Sequence, residues 1–274
     1  MSGHAGRLTV SWTAIYGALR YSGTGVVKVR GRIQLAIVGV LAVLLPGQLG
    51  HAASDAAPDL GMARVTDIRL NKTSDGRNLL RFSTTIVNVG AGPFELLGTW
   101  SAADQRWNVS QQIADTTGGR RSVATNAELV FGGDGHMHWH VKNLMTTELI
   151  RLDNGSKVGT VAKLGFCFWD NLDYRRTLPG FPKSPVYDSS GCGGASSTEV
   201  AMGLSVGWGD RYSYFLPDQY IDITNLTPGR YRLNVVADAN GLFLESSEAN
   251  NGTWVDLQIK SKGPPRILQY GPEA

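Results

Sequence analysis

Hydrophobic and polar positions alternate in short runs along most of this chain, and no long stretch of helical period with caps interrupts them. The run Leu79-Leu80-Arg81-Phe82-Ser83-Thr84-Thr85-Ile86-Val87-Asn88-Val89 mixes alternation with β-branched residues and stops at Gly90. Tyr231–Asp238 and Trp254–Ile259 also alternate, and turns flank the first of these at Pro228-Gly229 and Asn240-Gly241. Short strands joined by Gly-rich turns predict an all-β fold, an antiparallel β-sandwich. Two segments break the pattern. Residues 171–197, rich in Pro, Gly and Ser, predict a long loop of the kind that carries function or is held by a staple. Residues 263–274 read as a frayed or surface-docked C-terminal tail, which leaves 54–262 for the sandwich.

The apolar run Leu35–Leu45 is not a strand. Lys28, Arg30 and Arg32 precede it, Pro46-Gly47 break it, and small residues follow at Gly50 and Ala52. This is the pattern of a secretory signal peptide, and the run is shorter than the roughly 20 apolar residues that span a bilayer. Residues 1–53 are therefore expected to be an N-terminal extension and signal segment, cleaved near Ala52-Ala53. Residues before Val26 have no evident role, and Val26, Val27 or Val29 is a candidate start. The whole chain carries a net charge of +3, but residues 1–53 hold five Lys or Arg and no acid. The remainder has 21 basic and 23 acidic residues, a charge of −2. The basicity thus belongs to the export segment and does not point to nucleic acid. A secreted protein with no stable membrane insertion is expected.

Export changes how the cysteines and histidines read. The two cysteines, Cys167 and Cys192, lie at the ends of the loop and are expected to form a disulfide. Such a closure contributes about 3 kcal/mol by the chain-entropy estimate. A Cys/His metal site is the alternative that spacing leaves open. Of the five histidines, His4 and His51 fall in the removable segment; the other three are His136, His138 and His140. Alternate spacing on a strand puts these imidazoles on one face, with Met137 and Trp139 expected to point the other way into the core. Successive ligands would start about 6.6 Å apart and the outer pair about 13 Å, so the strand should bend, and Gly132, Gly133 and Gly135 make bending cheap. Three imidazoles suit copper, zinc, nickel or iron and leave a position for water or substrate.

Several blocks follow one another in order: Pro58-Asp59-Leu60, Leu80-Arg81-Phe82, His136-x-His138-x-His140, Lys163-x-x-Phe166-Cys167-x-x-Asp170, Gly203-Leu204-Ser205, Ile221-Asp222-Ile223-Thr224 and Glu245-Ser246-x-x-x-Asn250-Asn251. Together they resemble the lysyl oxidase family. The resemblance implies a copper ion on the three histidines beside a lysine tyrosylquinone. The family's lysine, four residues before its Phe-Cys cysteine, falls on Lys163. Its tyrosine, eight residues before the aromatic that opens Ile-Asp-Ile-Thr, falls on Tyr212. Asp210, two residues earlier and able to share the strand face, is the candidate general base. A calcium site is implied at Asp59, the Leu60 carbonyl, Glu245, Asn250 and Asn251, which are hard oxygen ligands. One family aspartate there falls on Ser247, so a charge is missing, with Glu248 nearby to offset it. The family's animal members carry more disulfides and a further histidine where this chain has Asn143–Thr147, so the chain resembles a compact bacterial-type version.

The implied activity is oxidative deamination of primary amines, peptidyl lysine among them, to aldehydes. Dioxygen is consumed, and hydrogen peroxide and ammonia are released. A different class also fits the residues: an extracellular sandwich that binds copper or calcium for adhesion, with no quinone. A third option is an oxygenase using iron on the triad.

Overall fold

The computed structural model describes residues 54–132, 136–161 and 165–274, together with two short strands, Ala14–Tyr16 and Leu19–Tyr21, that pair antiparallel. The chain divides into one unit over residues 1–50 and another over 51–274. The expected signal run and its cleavage region lie outside the described residues.

In the second unit the strand Asn78–Asn88 is the organising element. Leu80, Phe82 and Ile86 alternate toward the interior and are all buried, as the pattern predicts. Four shorter strands pair with it. Thr66–Lys72 and Leu60–Met62 follow one edge, and Tyr220–Asp222 and Trp208–Tyr212 follow the other. A second sheet runs in the order Lys157–Thr160, Met145–Arg151, Gly229–Ala237, Gly252–Ile259, Arg266–Tyr270. A third holds Glu199–Leu204, Phe94–Ser101, Arg106–Asp115 and two small edge strands. The fourth is small: Leu129–Phe131, Trp139–Lys142 and Gly165–Phe166. Every pairing is antiparallel. The fold is thus an all-β sandwich, with no α-helix among the described residues and only a 3-10 turn at Ser189–Cys192.

One core joins the sheets. Leu80, Phe82 and Ile86 meet Tyr231, Leu233 and Val235 from the second sheet and Phe94 and Leu96 from the third. Each such side chain stabilises the fold by about 1.5–3 kcal/mol relative to exposure. The loop after Cys167 is held at both ends by the Cys167–Cys192 disulfide. Asp170, 2 % exposed, accepts hydrogen bonds from the backbone N–H groups of Val186, Tyr187 and Ser205, which pins the loop from within. The tail is more ordered than a frayed end. Arg266–Tyr270 extends the second sheet, and the Ala274 N–H donates to the Met62 carbonyl at 3.0 Å.

Candidate metal centres and catalytic groups

The histidine segment closes a hairpin. Val130 opposes His140 and Phe131 opposes Trp139, and then the ladder ends. Gly132 turns the chain with φ of 63°, a left-handed conformation that suits glycine, and its N–H donates to the His138 carbonyl at 3.0 Å. Residues 133–135 lie outside the described residues. His136, Met137 and His138 are irregular, and the strand resumes only at Trp139. The expected bend is therefore present. It also corrects the expected packing of Met137, whose side chain is 74 % exposed rather than in the core. Alternation governs only residues on a strand, and Met137 precedes it. Trp139 does face inward, its ring 4.9 Å from that of Trp107.

The bend brings the three imidazoles together. One ring nitrogen from each of His136, His138 and His140 lies within 4.8 Å of the others, and His138 Nε2 is 3.0 Å from His140 Nε2. Metal–nitrogen bonds of about 2.0–2.1 Å put neighbouring ligands about 2.9–3.3 Å apart, between square and tetrahedral angles. The His138–His140 spacing falls in that range, so this pair fits a shared transition metal, with the third nitrogen within 4.8 Å of both. His140 is buried, while His136 and His138 are half-buried, which leaves one side of the cluster open.

Consecutive residues of one short strand connect this cluster to the candidate tyrosine. Gly165 lies against His140: a Cβ there would sit 2.6 Å from the His140 Cβ, so only glycine allows the approach. The next residue, Phe166, places its ring 4.5 Å from that of Tyr212. The Tyr212 hydroxyl is then held from both sides by Cys167, accepting from its N–H at 2.9 Å and donating to its carbonyl at 3.1 Å. Tyr212 is buried on the strand Trp208–Tyr212, opposite Thr84. Asp210 is also buried and shares the Tyr212 face, and Asn171 Nδ2 donates to its Oδ1 at 2.5 Å. Asn171 also accepts the Arg211 N–H at 2.7 Å, a clamp whose signal in the sequence was only its place at the head of the loop. Lys163 lies outside the described residues. Its flanks are described: Val161 donates to the Thr147 carbonyl, and Gly165 is two residues further on.

The oxygen donors gather at another corner. Asn88 holds the Pro58-Asp59-Leu60 segment by accepting from the Asp59 N–H at 3.1 Å. The Leu60 N–H donates to Glu245 Oε2 at 2.5 Å, and Asn250 Nδ2 donates to Asp59 Oδ1 at 2.7 Å. Asn251 Nδ2 donates to both Glu245 and Glu248. The amide oxygens Asn250 Oδ1 and Asn251 Oδ1 are buried and have no hydrogen-bond partner. Burial pushes the Glu245 carboxyl up to about 8, helped by Glu248 and Asp238. Burial also raises Asp238, against the N–H groups of Leu242 and Phe243 that it accepts. Asp238 was not singled out in the sequence, since it ends a strand seven residues before Glu245. Excess acid together with idle amide oxygens is what a hard cation would satisfy. The five residues expected at this site are thus brought together, but the Leu60 contact seen here is through its N–H.

A family model described as Lysyl oxidase matches residues 121–264, more than half of the chain. Human lysyl oxidase homolog 3 is 29 % identical over 175 residues, covering 64 % of this chain and 18 % of that protein. Lysyl oxidase homolog 2 of Gallus gallus is 28 % identical over 185 residues, 67 % of this chain and 19 % of its own length. Lysyl oxidase homolog 3A of Danio rerio is 28 % identical over 176 residues, 64 % of this chain and 18 % of its own length. The chain spans about a fifth of the length of the curated relatives it matches.

Proposed function

Because the chain belongs to the lysyl oxidase family, we propose that it is an exported copper-dependent amine oxidase that converts primary amines, peptidyl lysine among them, to aldehydes. The net reaction takes a primary amine, dioxygen and water to an aldehyde, ammonia and hydrogen peroxide. The observation that carries this reading is the pair Gly165-Phe166, one residue against the imidazole cluster and the next against the Tyr212 ring. A metal-binding stripe alone would not need a buried tyrosine coupled to it through one strand.

His136, His138 and His140 would hold copper. A lysine tyrosylquinone built from Lys163 and Tyr212, with copper and dioxygen serving its formation, would supply the electrophile and take up two electrons from the amine. Lys163 is four residues from Cys167, a chain reach of at most about 14 Å, and Cys167 itself holds the Tyr212 hydroxyl. That reach is compatible with a covalent link. Cys167 fixes the tyrosine oxygen, and burial of the ring keeps bulk water from it. Asp210, oriented by Asn171 on the same face, would take a proton from the substrate carbon next to nitrogen.

Calcium at Asp59, Leu60, Glu245, Asn250 and Asn251 completes the proposal, with Glu248 offsetting the charge that Ser247 lacks. Its role would be structural, because these residues join the Pro58–Leu60 segment to the turn at 245–251.

The test is peptide mass spectrometry on protein exported with copper, with amine-dependent peroxide release measured in parallel. The expected result is a Lys163–Tyr212 crosslink, lost with turnover in Lys163→Arg and Tyr212→Phe while metal binding persists. Unmodified Lys163 and Tyr212 in copper-loaded protein, or turnover in either variant, would overturn the assignment.

A further inference from the structure

Met137 is the outlying methionine. Its side chain is 74 % exposed, whereas Met62, Met145 and Met202 are 0, 4 and 2 % exposed. It packs in no described hydrophobic cluster, so the fold gains nothing from an apolar group there. It lies between His136 and His138, one peptide link from each, and is exposed where they are half-buried. Both cysteines are tied up in the disulfide, and no free cysteine is present among the described residues. Among the described residues Met137 is therefore the sulfur nucleophile most open to solvent, and it is the sequence neighbour of two residues of the candidate metal centre.

We infer that Met137 is the sacrificial thioether of the histidine loop, a modification site that consumes hydrogen peroxide before it can damage the imidazoles. The inference rests on the proposed amine oxidase reading for its source of peroxide, which is released where the amine is oxidised. The Met137 sulfur attacks one peroxide oxygen, the O–O bond breaks, that oxygen stays as the sulfoxide, and the other leaves with both protons as water. Sulfur is oxidised by two electrons and peroxide is reduced by two. A thioether is a soft, polarizable nucleophile, and its sulfoxide is open to repair by reductases. Exposure makes the oxidation cheap for the fold, since no core packing is lost at Met137, in contrast to the buried sulfurs.

The experiment treats copper-loaded protein with reagent hydrogen peroxide and maps added oxygen by peptide mass spectrometry over time. The expected result is one oxygen on Met137 while His136, His138, His140 and the three buried methionines stay unmodified. In Met137→Leu, which leaves an exposed apolar side chain of similar size, oxygen should move to the triad histidines at the same dose, and triad metal should be lost. Histidine oxidation that keeps pace with Met137 in the native chain, or is unchanged by Met137→Leu, overturns the inference. Repeating the map with a primary amine and air in place of added peroxide separates the two readings. Met137 oxidised by reagent peroxide but never during amine treatment supports the site and counts against amine oxidation.

Discussion

The histidine loop and the acidic corner are both candidate cation sites, and they differ in how their donors meet. His136, His138 and His140 come from one five-residue window, and the chain only has to bend to bring their nitrogens within 4.8 Å. The acidic corner joins residues far apart in sequence: Leu60 with Glu245, 185 positions away, and Asp59 with Asn250, 191 away. A site made by local bending can lose its ion and leave the fold intact. A site made by joining distant segments holds those segments together, so losing its ion must loosen the sandwich. The first should therefore govern chemistry and the second stability.

The sharpest break of that contrast is His138→Ala. His138 is half-buried and contributes one of the two nitrogens 3.0 Å apart. Even a partner one shell beyond the ligands is worth about 10–100-fold in metal affinity, so removing a ligand should cost more than about 100-fold. The melting temperature of the metal-free protein should hardly move. A competition titration against a chromophoric chelator reads the affinity, and an unchanged affinity would mean that the loop is not the metal centre. Asp210→Asn bears on the chemistry of the same region and should lower amine turnover by about 10²–10⁴-fold. The Lys163–Tyr212 crosslink and the melting temperature should survive. Equal loss of crosslink and rate would instead make Asp210 part of cofactor assembly.

Calcium addition tests the other half. An ion bound only by the folded state stabilises it by about 2.7 kcal/mol at 100 times its Kd. For a unit of this size that is a rise of several degrees in melting temperature, at about 2–4 °C per kcal/mol. His138→Ala should respond to calcium as fully as the parent does. No calcium shift in either protein would reduce the corner to a polar turn.

This contrast also explains what the sequence could reveal. Gly229–Ala237 is legible because alternation continues across its length and each inner residue enters the core, and Asn78–Asn88 because its apolar and β-branched run ends at Gly90. The triad is legible for a similar reason, since its spacing is itself the motif. Met137 was misplaced because period-two reasoning assumes a strand, and the turn at Gly132 delays the strand until Trp139. The acidic corner is visible in sequence only through family resemblance, because no local pattern joins Asp59 to Asn250. Asp238 stayed hidden for the same reason: only the turn at residues 238–241 brings its charge to bear on Glu245. Of the two readings of the tail, frayed or surface-docked, docking is the one the contacts favour, because Tyr174 and Arg175 both donate to the Ala274 carbonyl and draw it onto the fold.

The smallest expected effect separates the two kinds of site most cleanly, because it should change sign with calcium. Ser247 lies where the family resemblance places an aspartate, and its hydroxyl accepts the Ala249 N–H at 3.2 Å. Ser247→Asp keeps an acceptor for that N–H and adds a negative charge beside Glu245 and Glu248. Without calcium the added charge meets Glu248 and Glu245, whose carboxyl burial already pushes up to about 8 with help from Glu248 and Asp238, so the variant should melt below the parent. With calcium the same charge meets a divalent cation, and affinity should rise by about 10-fold, equivalent to about 1.4 kcal/mol. The two melting curves should therefore cross as calcium is added. A variant that shifts stability equally with and without calcium would show that residues 245–251 form only a polar turn, and stability would then have to come from the core and the disulfide alone.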